Sequence, residues 1–86
     1  MSAIEDIVAA LQSVSSGLEE AGNATTGAGQ EADEAISQAS ALGTTQIVAE
    51  LTSVKDTIEK LLTQILGATE LTKEAIALAL AAANGT

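Results

Sequence analysis

The chain has 86 residues, enough for one small domain, and it lacks Cys, His, Arg, Pro, Trp, Tyr and Phe. These absences exclude a disulfide framework, thiolate chemistry, the usual proton shuttle near neutral pH, bidentate phosphate clamps and base-stacking platforms. Twelve acids against three lysines give a formal charge of −9, which disfavours nucleic acid and anionic membranes and favours cationic surfaces.

In chain order, Ser2-Ala3-Ile4-Glu5 fits a Ser-x-x-Glu capping box and predicts a helix start. No basic leader or long apolar h-region is apparent there, so the expected location is cytoplasmic, or exported without a cleavable signal peptide. A heptad pattern follows. Ile4, Leu11, Leu18, Thr25, Ala32 and Ala39 are seven apart, and so are Ile7, Val14, Ala21, Ala28, Ala35 and Leu42. Interleaved, the two sets step by three and four, the spacing of one helix packed along another. All are apolar except Thr25.

Gly22, Gly27 and Gly29 form a weak stretch within this segment, each glycine costing about 1 kcal/mol against alanine. A loop there would make a three-helix chain. The heptad phase is the same on both sides, which favours one continuous helix. Gly43 then fits a left-handed C′ residue, and Thr44 or Thr45 an N-cap for a second helix.

The second seam is read as Ile47, Leu51, Val54, Ile58, Leu61, Ile65, Ala68, Thr72, Ala75, Ala79 and Ala82, closed by Asn84-Gly85. With no proline, nothing forces a break in either segment. The longest strongly apolar run, Ala75 to Ala83, is nine residues, far short of the ~20 that cross a bilayer. No transmembrane segment is expected, and membrane binding is disfavoured by charge and by the missing aromatics.

The prediction is therefore all-α: a single antiparallel two-helix hairpin over residues 1–86, coiled-coil-like, with helices at about 3–42 and about 45–83 and a turn near Gly43–Thr45. Volume supports it. Antiparallel pairing sets Leu11 near Ala75 and Ala79, Leu18 near Ala68 to Ala75, Ala32 near Ile58 and Ala39 near Leu51, large on small throughout. Parallel pairing would stack large on large and leave voids, and the connection is too short for it.

Apolar surface remains after that seam is filled. Val48, Leu62 and Ile76 share one further heptad position, Leu66 and Leu80 another, while Leu71 and Leu78 flank the seam. On the first helix Ser15, Gly22 and Gly29 lie seven apart beside the seam, with Ala3, Ala10, Gly17 and Ala24 on its other side. Flanks this bare predict a groove in which another helix docks. The spare apolar stripes and this groove are the expected assembly interface, building a multi-helix bundle or, if the contact is heterologous, a filament.

No catalytic, cofactor-binding or metal-ligating set is expected. Glu19/Glu20 and Asp33/Glu34 are sequence neighbours and diverge on a helix. Glu70 and Glu74 converge, with Lys73 nearby, but no calcium-loop motif is present. Asp56–Lys60 and Glu70–Lys73 read as intrahelical pairs. Ser53 and Lys55 are two apart on a helix and point apart. Thr25 and Thr72 are expected to satisfy their hydroxyls on the preceding helical turn.

In outline, the leaderless acidic N-terminus and two helices joined near mid-chain by a glycine turn resemble the small Trp-x-Gly helical hairpins. Those are early-secreted-antigen-like substrates of type VII secretion in actinobacteria and firmicutes. Ala41-Leu42-Gly43 stands where that family has Trp-x-Gly, so only Gly43 matches, and the C-terminal Tyr-x-x-x-Asp/Glu signal has no counterpart. The resemblance implies a leaderless secreted or chaperone-like hairpin that binds a different helical protein. The residues themselves point first to a non-enzymatic, self-associating structural subunit, with a second copy of the chain as its partner.

Overall fold

The computed structural model describes residues 3–85; the expected cap at Ser2 lies outside them. The chain forms two long helices, α1 (Ala3–Ala41) and α2 (Thr45–Gly85), 39 and 41 residues long. They lie antiparallel in a body of 65 × 16 × 11 Å. No strand occurs among the described residues. Helices of this length need an unbroken run of residues able to keep helical φ and ψ, and the lack of proline permits it. Glu5 and Asp6 occupy the first turn of α1, where negative charge complements the helix dipole. Residues 22–29 are helical throughout, so the loop reading of that stretch does not hold.

The turn is a Schellman motif. The Gly43 N–H donates to the Ser40 carbonyl at 3.0 Å and the Thr44 N–H to the Ala39 carbonyl at 3.2 Å. Gly43 has φ +74°, a conformation that glycine reaches without the Cβ clash other residues suffer. The Thr44 hydroxyl also donates to the Ala39 carbonyl, at 2.9 Å. The Val48 N–H donates to the Thr44 carbonyl at 3.0 Å and opens α2. Three residues, Leu42 to Thr44, thereby reverse the chain, with the Gln38, Ala39 and Ser40 carbonyls satisfied.

Heptad letters define the packing. The d row of α1 is Ile4, Leu11, Leu18, Thr25, Ala32 and Ala39, all buried or half-buried. Its partner row against α2 is Val8, Ser15, Gly22, Gly29 and Ile36, the a row, also turned inward. On α2 the inward d row is Leu51, Ile58, Ile65, Thr72 and Ala79, and the a row is Val48, Lys55, Leu62, Thr69 and Ile76.

The expected seam therefore needs correction along one of its two rows. Ile7, Val14, Leu42, Ile47, Val54 and Leu61 are not seam residues but exposed, Ile7 to 51% and Leu42 to 80%. Ala35, Ala68 and Ala75 lie in the same displaced row and are half-buried at the edge of the seam. The inward row of α1 is instead the one whose glycines face isoleucines of α2. A Cβ built on Gly22 would meet Ile65 Cγ2 at 3.7 Å, and one on Gly29 would meet Ile58 Cγ2 at 3.7 Å. Two isoleucines of α2 thus pack over the smallest residues of α1, large on small.

A pair of helices has a single shared interface, and the core is correspondingly thin. Ala32 and Ala39 are the buried apolar residues among those described, and no side chain is wholly enclosed. The buried polar residues Thr25 and Thr72 return their hydroxyls to the preceding turn, to Ala21 O at 2.7 Å and Ala68 O at 2.8 Å.

Candidate interaction surface

Two groups expected at the assembly interface lie partly within the hairpin itself. Gly22 and Gly29 face Ile65 and Ile58 of the chain's own α2, while Ser15 and Gly22 still line an open groove. Val48, Leu62 and Ile76 are half-buried in the a row of α2. Leu66, Leu71, Leu78 and Leu80 are exposed, by 57, 67, 72 and 47%.

The displaced g rows make up a surface of their own. In an antiparallel pair, reversing one helix reverses both its direction and the side on which a given heptad position falls. Equal positions therefore become lateral neighbours, g beside g and e beside e. Along α1 the g row is Ile7, Val14, Ala21, Ala28, Ala35 and Leu42; along α2 it is Ile47, Val54, Leu61, Ala68, Ala75 and Ala82. Every one of these is apolar. The whole length of one face of the hairpin carries no charge and no polar side chain in these rows.

The acids are segregated from it. Glu5, Glu19, Asp33 and Glu59 occupy the e rows on the opposite face. Asp6, Glu20, Glu34 and Glu74 point outward at f, and Asp56 and Glu70 at b. Only Glu31 and Glu50, at c, border the apolar face, and on the same border Leu71 and Leu78 extend it toward the free end of α2. A helix apolar at a, d and g is patterned for a bundle core, whereas a strict two-stranded seam needs a and d alone.

The opposite face holds an open groove of about 500 Å³ above Ser15, Gly22, Leu62 and Ile65, rimmed by Glu19, Leu66 and Lys73. It exists because Ser15 and Gly22 do not fill the space between the helices. No three metal-ligating side chains converge among the described residues.

Polar contacts across the hairpin centre on Lys55, a cation in an otherwise largely apolar inward row. Its ammonium donates to the Asp33 carboxylate on α1. That hydrogen bond, with the charges of Asp33, Glu59 and Asp56, raises the Lys55 pKa above 10.5 against an opposing desolvation effect. Sequence spacing did not single out this pair, because the partners are far apart in the chain and join only through the fold. Lys73 approaches Glu70 at 3.5 Å as expected from i,i+3 spacing. Asp56 and Lys60, expected to pair, form no ion pair among the described residues.

No helix among the described residues is long and apolar enough to cross a membrane. No protein-family model, curated protein or solved structure matches the chain.

Proposed function

We propose that this chain is a non-enzymatic, self-associating helical protein, the structural subunit of a homo-oligomer. The observation that carries the reading is the unbroken apolar face, on which Ile7, Val14, Ile47, Val54 and Leu61 each stand about half exposed to water. Large contiguous patches of this kind are rare on monomers and are normally covered by a partner. Their burial at about 25 cal/mol per Å² supplies the driving force, offset by the entropy of association.

A second reading is a hairpin that pairs with a different helical protein, as the Trp-x-Gly outline implies. Its support is the two-helix shape with a left-handed glycine at the turn. Light scattering on the purified chain across a concentration series decides between them. Self-association predicts a mass above one chain that rises with concentration. A monomer at every concentration would remove the first reading and favour a foreign partner.

A further inference from the structure

We infer that a second copy of this chain covers the charge-free g face, related by a two-fold axis, so that assembly closes at a dimer with a four-helix core. This rests on the self-association reading and specifies its surface, its stoichiometry and its closure.

Three observations on that face point to a second copy. The first is its pattern of side-chain size. The large residues of α1 lie near the chain termini, Ile7 and Val14, and those of α2 lie near the turn, Ile47, Val54 and Leu61. In the antiparallel hairpin these clusters occupy one diagonal of the face. Alanines, typified by Ala28 and Ala68, occupy the other. A two-fold axis lying in the plane of the face, whether along the hairpin or across it, carries the large diagonal of one copy onto the small diagonal of the other. The face is therefore self-complementary, the condition for a closed isologous contact. Within the g rows Leu42, at the turn end, is the one large residue off the diagonal, and from the c row Leu71 and Leu78 border the small diagonal.

The second observation is area. A body 65 Å long and 16 Å wide offers roughly 1,000 Å² of projected face per copy, more than the ~800 Å² that each partner gives to a standard stable interface. The third is charge. At −9 per chain, two copies repel unless their acids stay apart. The g rows hold none, and only Glu31 and Glu50 stand at the border. A cationic partner would find its counter-charges on the other faces, so this face suits an apolar twin.

The test uses the full chain. Wild type is expected at the mass of two chains by analytical ultracentrifugation, with no fibres by electron microscopy. Ala28→Glu and Leu61→Glu on the g face are expected to weaken dimerisation by at least about a hundredfold, while Leu66→Glu on the opposite face leaves it intact. Because a substituted hairpin that depends on its twin for folding would lose helicity, a cross-linking readout is added. The chain has no native cysteine, so Ala21→Cys and Ala68→Cys, mixed and oxidised, report on the middle of the face and are expected to give a two-chain product. Fibres, a mass above two chains, loss of assembly in Leu66→Glu alone, or a dimer in which those cysteines do not cross-link would each overturn the inference while leaving self-association standing. A monomeric wild type would overturn both.

Discussion

Gly29 lies directly beneath Ile58: a Cβ placed on the glycine would come 3.7 Å from Ile58 Cγ2, ordinary van der Waals distance. Gly22 stands in the same relation to Ile65. An alanine methyl fits at both sites without displacing its neighbour and spares the conformational entropy glycine loses in a helix. Gly22→Ala and Gly29→Ala are each expected to stabilise the fold by about 1 kcal/mol. In thermal melts followed by circular dichroism this is an upward shift of about 4–8 °C per substitution.

Leucine at the same positions is expected to do the opposite. Its outer carbons would have to occupy the space of Ile58 or Ile65, an overpacking that costs about 1–3 kcal/mol. A lower melting temperature for Gly29→Leu beside a higher one for Gly29→Ala is the expected pair of results. Equal melts for the two would show that the helices stand further apart than described.

At the turn, Gly43→Ala forces a Cβ into φ +74°. The left-handed region costs a non-glycine residue about 1–2 kcal/mol. Urea unfolding should show a lower midpoint with an unchanged slope, and Gly43→Asn should lose less, since asparagine tolerates this region better.

The Lys55–Asp33 contact predicts sensitivity to alkali. The folded-state pKa of Lys55 is raised above its ordinary 10.5. The folded chain therefore holds that proton more tightly than the unfolded chain. The resulting stabilisation is complete below pH 10.5 and disappears as pH climbs through the higher folded value. Lys55→Met removes the effect, so the difference in urea midpoint between wild type and variant should change across this window. An identical pH dependence of the two proteins would mean the contact contributes nothing in solution.

Thr25 and Thr72 each donate to a carbonyl of the preceding turn within their own helix. Such bonds add little, because that carbonyl is already engaged by the helix ladder and the hydroxyl slightly strains the turn. Thr25→Val and Thr72→Val preserve the shape of a buried side chain and are expected to leave stability within about 0.5 kcal/mol of wild type or to raise it. A loss several times larger would assign these threonines a role in setting the register of the pair.

Much of the architecture was legible from residue order alone. The heptad phase, carried unbroken through Gly22 to Gly29, already implied one helix across that stretch. Gly43 between two apolar repeats marked the reversal, and the opposed gradients of residue size required the antiparallel sense. The d rows, from Ile4 to Ala39 and from Leu51 to Ala79, were readable because they belong to any seam this pattern can form.

What residue order could not decide was which neighbour joins the d row. Both a and g are largely apolar, and either completes a three-four spacing. The choice depends on which side chains meet across the pair, a property of facing residues and not of one helix. Only in the folded hairpin does Gly22 meet Ile65 and Gly29 meet Ile58, and only there does Lys55 reach Asp33. Tertiary packing drew a inward and left g outside, so Gly22 and Gly29 came to face Ile65 and Ile58, and Ile7, Val14, Ile47, Val54 and Leu61 became surface that water still touches.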